Sequence, residues 1–368
     1  MLVASPSSGL PSYPRHALAV STHRQYTSLQ AGRGLAALLV VVHHVCFFAA
    51  GDPHLWQRPT MARWTSGPQL GVAFFFVLSG IVILTAHWKD VGNPATVPSY
   101  LWKRFRRIYP VYWLVLAVVL CSQLTSSNPE FAYKHSPFVI LSSILLVHIH
   151  SDQTNLAVAW TLFHEVMFYA VFALALLHKR VGTVLVALWL LLSPVNLAHP
   201  ATPILPQNFF SPLHILFAMG LLAAWLLRRG NIPQPTPLLI FGTLIFSGSI
   251  AFAGWAGHTA ETTYLSAGLG STLALLGAAE LETQGRLRTH RWLAFLGDAS
   301  YSIYLIHFPV VSTVARIAFR LDPQPRLPLG LWMLLMFAAG TIAGCLLHVF
   351  VERPLLKWLG RPHRPADR

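Results

Sequence analysis

Arg33 and His44 stand at the two ends of an otherwise apolar run, Arg33-Gly34-Leu35-Ala36-Ala37-Leu38-Leu39-Val40-Val41-Val42-His43-His44. On a helix this interval is about 20° past three full turns, so both side chains share one face, about 16 Å apart along the axis. An imidazole is the natural general base near neutral pH, and an arginine fork suits phosphate or carboxylate. His43, about 100° round the helix, is a second candidate base. The competing account is a snorkelling arginine and a histidine hydrogen-bonded within a bundle.

Three further places carry chemistry inside or beside apolar runs. Trp160-Thr161-Leu162-Phe163-His164-Glu165 puts a carboxylate about a turn and a half into the run 159–177. Such a group is protonated, paired or lining a wet cavity. Ser300, Tyr304 and His307 follow helical spacing and share a face. Asp298, just before them, reads as a helix N-cap. The basic run Lys103-Arg104-Phe105-Arg106-Arg107 offers forks for phosphates or for anionic headgroups, and Pro110 after it fits the first position of a helix. Glu352-Arg353-Pro354 ends the last apolar run, as an ion pair or a simple stop. The loop 51–68 has Asp52, His54, Trp56, Arg58, Arg63 and Trp64, which suit either sugar stacking or interfacial anchoring. No Cys/His ligand spacing exists, Cys46, Cys121 and Cys345 all lie in apolar runs, and no metal is expected.

The elements that position these groups follow from composition. The chain has 368 residues, 54% hydrophobic and 10% charged, against about 25% charged in soluble domains. Its solvent is therefore lipid, and the spans are helical, since no alternating barrel-type strands are visible. The net charge of +14 does not signal nucleic acid, because the cations fall in short clusters between apolar runs. Apolar runs occur near 34–50, 69–86, 109–124, 136–150, 159–177, 181–197, 209–227, 237–254, 263–281, 293–319 and 329–350. Counting all of them would put the basic C-terminal tail opposite the basic loop 99–107, against the positive-inside rule. The shortest and most polar run, 136–150, is therefore expected to be re-entrant or external. That leaves an all-α polytopic membrane protein, a bundle of about ten transmembrane helices with both termini cytoplasmic. Of the 26 Lys and Arg, 20 then fall on the cytoplasmic side. Residues 1–28 read as a disordered cytoplasmic tail rather than a cleavable signal, 29–355 as the membrane domain, and 356–368 as a basic cytoplasmic tail.

Several blocks, in order, resemble the acyltransferase 3 family. They are Ser28 to Ala37 leading to His44; Phe75-Phe76-Val77-Leu78-Ser79-Gly80; Arg104 to Pro110; Trp160-Thr161-Leu162 with Glu165; Gly297-Asp298 to His307; and Glu352-Arg353-Pro354. The resemblance covers residues 28–355. It implies a membrane-bound O-acyltransferase of the bacterial cytoplasmic (inner) membrane. The co-substrate would be acyl-CoA, most simply acetyl-CoA, and the acceptor an extracytoplasmic or lipid-linked carbohydrate. It implies His44, with His43 and Glu165, as the catalytic group, acting as base or transient acyl carrier. Arg33, Arg104, Arg106 and Arg107 would hold the donor's phosphates, and Ser300, Tyr304 and His307 would lie on the acceptor side. Two positions depart from the family pattern. Ala73 stands where an acidic residue is usual, and His43 where an aromatic one usually precedes the essential histidine. A fused extracellular hydrolase-like domain, present in some members, is not expected. From the residues alone, a proton-coupled secondary transporter is the alternative, since buried His, Glu and Arg also serve proton coupling.

Overall fold

The computed structural model describes residues 26–58, 63–124, 129–147, 154–198, 205–206 and 209–360. Most of the expected N-terminal tail, the end of the C-terminal tail from 361, and His148 and His150 lie outside the described residues. Among those described, no strand occurs. The α-helices in chain order are α1 Thr27–Cys46, α2 Gly71–His87, α3 Val97–Leu124 and α4 Pro137–Leu145. There follow α5 Trp160–Leu177, α6 Lys179–Leu192, α7 His214–Arg229 and α8 Pro235–Ala256. The last are α9 Glu261–Thr283, α10 Arg291–Leu321, α11 Leu329–Leu347 and α12 Arg353–Leu359.

Nine helical segments among the described residues are long and apolar enough to cross a membrane. The remaining expected span, 209–227, is α7, whose 16 residues reach only about 24 Å against a hydrocarbon core of about 30 Å. The demoted run 136–150 holds the nine-residue α4, far too short to cross. Its final carbonyls would be orphaned in lipid, and α3 satisfies them. Tyr112 Oη donates to Ser143 O at 2.7 Å, Trp113 Nε1 to Ile144 O at 2.9 Å and Tyr109 Oη to Leu145 O at 3.0 Å. These donors lie near the middle of α3, so α4 ends close to the mid-depth of that helix. Leu146 then turns the chain at φ +52°. A buried network holds the return: Asn155 Nδ2 donates to Gln123 Oε1 and Lys134 O, and Ser143 Oγ donates to Asn155 Oδ1.

Two local expectations are corrected. Pro110 is not a first-turn residue but lies inside α3, which begins at Val97. The basic run 103–107 is itself helical, because charge excludes a segment from lipid but not from a helix. Asp298 is not an N-cap either: α10 starts at Arg291, with His290 at the cap position, and Asp298 is exposed two turns in.

α1 is tied down at its start by α9. The Glu282 carboxylate accepts the backbone N–H groups of Thr27 and Ser28 and the Thr27 hydroxyl, each at 2.8 Å. This satisfies orphan donors and favours the positive end of the helix dipole. α1 and α10 then run side by side and parallel. Gly34 faces Gly297 so closely that an added Cβ on Gly34 would sit 2.9 Å from the Gly297 nitrogen, and ten residues further along each helix His44 meets His307. Glycine permits backbone approach of this kind between membrane helices. α2 and α7 pack parallel through a second such contact, Gly80 against Gly220, with Phe76 beside Phe217 one turn earlier. α8 and α9 form a hairpin at the side of the bundle.

Candidate active site

α1, α2, α3, α5, α10 and α12 enclose a cavity of about 410 Å³. Its charged wall comes from Arg33 of α1 and from Lys103, Arg104, Arg106 and Arg107 of α3. The single carboxylate on the wall is Glu165 of α5. α2 contributes an apolar side with Val72, Phe75, Phe76 and Leu78, and α10 contributes Ser300, Tyr301 and Tyr304.

Each charged group has a distinct support. Glu165 accepts from Ser79 Oγ at 3.1 Å and from the Tyr169 hydroxyl, and pairs neither with Arg33 nor with an imidazole. The Arg104 guanidinium lies 5.6 Å from the centre of the Tyr169 ring, and Tyr100 Oη donates to Tyr169 O at 2.9 Å. Arg107 pairs with the fully buried Glu352 and lies 5.3 Å from the centre of the Tyr301 ring. Glu352 also accepts from Ser302 Oγ at 2.7 Å and from His348 Nδ1 at 2.8 Å. Thus Glu352 is the centre of an ion-pair cluster, and α12 follows it rather than a stop. Arg33 donates to Gln30 Oε1 at 3.4 Å and makes no ion pair with Glu165 across the cavity. Two buried atoms on the wall, Ser300 Oγ and Arg104 Nε, have no hydrogen-bond partner. After Arg107 is neutralised by Glu352, the cavity still has four cations to one carboxylate, the arrangement expected of a site for a polyanion.

The cavity ends against Tyr304 and Phe75, whose rings are 6.0 Å apart. Tyr304 is held by Thr161 Oγ1 at 2.7 Å and Val158 O at 3.0 Å. His307 lies one turn beyond, about 4.5 Å along α10. Its Nε2 is 3.0 Å from His44 Nδ1 and its Nδ1 is 2.9 Å from Ile303 O. His44 Nδ1 is also 3.1 Å from Val40 O, and the His44 ring stands 4.5 Å from the His43 ring and 5.0 Å from Phe308. His43 Nδ1 is 2.6 Å from Thr65 O. The expected residues therefore divide. Arg33, Arg104, Arg106, Arg107, Glu165, Ser300 and Tyr304 share one cavity wall, while His43, His44 and His307 cluster beyond its end. Ser79 and Tyr301, which the motifs had left as packing or neighbours, join the wall. Tyr169 was one helical turn from Glu165 in the sequence, and that spacing was the only signal for it. Among the described residues, no group of three or more His, Cys, Asp or Glu is placed to hold a metal.

A bundle of apolar helices that encloses a cationic cavity, with a buried histidine cluster beyond its end, defines the class: an integral membrane protein with a polar site inside its bundle. Sequence comparison makes the class particular. A family model described as an acyltransferase domain, acyltransferase 3, matches residues 26–350, and the chain belongs to that family. It is 31% identical over 309 residues to the exopolysaccharide production protein ExoZ of Rhizobium meliloti, covering 80% of this chain and 91% of that protein. It is 26% identical to the acyltransferase MdmB of Streptomyces mycarofaciens over 92% of this chain and 93% of the other. A third relative is the peptidoglycan O-acetyltransferase OatA of Listeria monocytogenes, 24% identical over 91% of this chain and 56% of the relative. No solved structure matches. The protein is a membrane acyltransferase that transfers groups other than aminoacyl groups, and the transporter reading falls away.

Proposed function

We propose that the enzyme takes an acyl group, acetyl in the simplest case, from acyl-CoA and transfers it to a hydroxyl of an extracytoplasmic or lipid-linked carbohydrate. The observation that carries this reading is the cationic cavity that ends one helical turn short of His44. Arg33, Arg104 and Arg106 bind the donor's phosphates by charge-assisted hydrogen bonds, with Arg107 held beside them by Glu352. The pantetheine arm runs along the apolar α2 wall, with Ser300 Oγ of α10 and Arg104 Nε of α3 supplying polar atoms, and brings the thioester to Tyr304 and Phe75. The skew of lysine and arginine to the Arg33 end makes that end cytoplasmic, with both termini on the same side, in a bacterial cytoplasmic membrane. The acceptor approaches from the opposite side, where the loop containing His54 and Trp56 lies; the carbohydrate class follows the names of the exopolysaccharide and peptidoglycan relatives.

His44 Nδ1 faces the Val40 carbonyl and His307 Nε2, and with both of these as acceptors Nε2 of His44 has the free lone pair. It removes the proton of the acceptor hydroxyl as the oxygen attacks the thioester carbonyl. The tetrahedral intermediate expels CoA thiolate, and the imidazolium returns the proton to that sulfur. No metal is required by this sequence of steps. His44→Ala, assayed in membranes with radiolabelled acetyl-CoA and a glycan acceptor, loses transfer by about two to four orders of magnitude, with insertion unchanged. Full transfer in that variant would overturn the reading. An acyl-imidazole trapped on His44 in the absence of acceptor would make it the acyl carrier instead.

A further inference from the structure

We infer that His307 is a positioning residue for His44, holding its ring and selecting the tautomer that leaves Nε2 free. This rests on the reading of His44 as the base and goes beyond it, because it gives His307 no contact with donor or acceptor.

The hydrogen-bond chain runs in one direction. A carbonyl only accepts, so His307 Nδ1, 2.9 Å from Ile303 O, donates to it. Its other nitrogen faces His44 Nδ1 at 3.0 Å, and one proton lies between the two. His44 Nδ1 also faces Val40 O at 3.1 Å, which can only accept. The proton therefore belongs to His44 Nδ1, and His307 Nε2 accepts it. The Nε2 lone pair of His44 is then turned away from both helices' backbones. A neighbour that fixes tautomer and orientation without touching substrate is the part a carboxylate plays for many catalytic histidines.

The surroundings give His307 one place to stand. Its side chain is fully buried. Gly340 of α11 lies behind it, where an added Cβ would sit 3.4 Å from the His307 Cβ, and the Tyr304 ring is 5.9 Å away on the cavity side. Because α1 and α10 are parallel and locked by Gly34 against Gly297, the two imidazoles meet at a fixed register. Val40 O lies on His44's own helix, so it gives the ring no tie across to α10, which His307 supplies.

The test uses His307→Leu and His307→Gln in the full chain, with solid-state nitrogen NMR of labelled histidine alongside acyl transfer. The Gln Oε1 can accept where the imidazole Nε2 did. We expect Leu to lower kcat about a hundredfold with the acyl-CoA KM unchanged, and Gln to recover transfer to within about tenfold of the native enzyme. The native spectrum should show His44 protonated on Nδ1, and the Leu variant a mixture of tautomers. Native transfer in the Leu variant, Gln no better than Leu in folded protein, or His44 protonated on Nε2 in the native spectrum would each overturn the proposal. The spectrum needs neither donor nor acceptor, so it decides the His307 contact even if His44→Ala retains transfer and the base assignment fails. If the Leu variant does not fold, the Gln variant and the native spectrum decide.

Discussion

Among the described residues, two imidazole pairs stand at the same hydrogen-bond distance. His44 and His307 join α1 to α10, with nitrogens 3.0 Å apart. His164 and His214 join α5 to α7, also 3.0 Å apart. Their hydrogen-bond chains are alike as well. Ser193 Oγ donates to Trp189 O and so accepts from His214 Nδ1 at 3.3 Å, which makes His214 Nε2 the acceptor from His164. The surroundings differ. The His164–His214 pair is enclosed by the rings of Phe76, Trp160, Trp189 and Phe217. The first pair has a third imidazole beside it and the end of a cationic cavity below it. The bond between the rings does not tell the two pairs apart; what each pair packs against does. We assign the second pair to holding α5 against α7.

Substitutions can break that contrast. The largest separation is expected between His44→Ala, which loses transfer with little loss of stability, and His214→Leu. The latter leaves His164 and Ser193 with unmet partners and lowers stability by about 1–3 kcal/mol, while the folded fraction keeps transfer within a few-fold. Thermal melts in detergent read the one effect and turnover the other. A folded, inactive His214→Leu enzyme would erase the distinction. Arg33→Ala comes next: loss of a charge-assisted bond raises the acyl-CoA KM about tenfold to a hundredfold with kcat nearly constant, and an unchanged KM would remove the phosphate role. The smallest effect is expected furthest from either pair, at Asp322. Backbone N–H bonds from Arg326 and Leu327, with help from Trp332, hold its carboxyl below the usual range. A depressed carboxyl contributes stability above its unfolded value and loses it as pH falls through the folded value. Asp322→Asn should therefore flatten the acid side of the stability profile by a small amount, with transfer at neutral pH unaffected; an unchanged acid limb would place the acid sensitivity elsewhere.

Much of this was legible in the chain itself. The Arg33–His44 interval placed both groups on one face of α1, because helix geometry is periodic and the run has no breaker. The charge skew demoted 136–150, and α4 is indeed too short to cross. What spacing could not show was which helices become neighbours. The pairing of Arg107 with Glu352, distant in sequence, depends on α3 meeting the end of the last span. His307 looked like part of one helix face with Ser300 and Tyr304, and it is; the end wall at Tyr304 and Phe75 divides that face, and such a wall is a product of packing. His214 lay in an apolar run with no motif around it, so nothing in the sequence marked it as a partner of His164. Pro110 misled because local rules for helix starts assume that a helix begins where the apolar run does, and Asp298 because a capping residue type was read without the helical turns that precede it from Arg291.

The half-helix α4 bears on how the protein is made. Its last carbonyls depend on donors from three aromatic side chains of α3, and Asn155 beyond it bonds Gln123 at the end of the same helix. α3 precedes α4 in the chain, so these donors emerge from the ribosome ahead of the carbonyls they meet. Seating of α4 is then a templated step: it meets its donors on a helix made before it, and a chain with those aromatic donors removed is expected to leave its last carbonyls unmet.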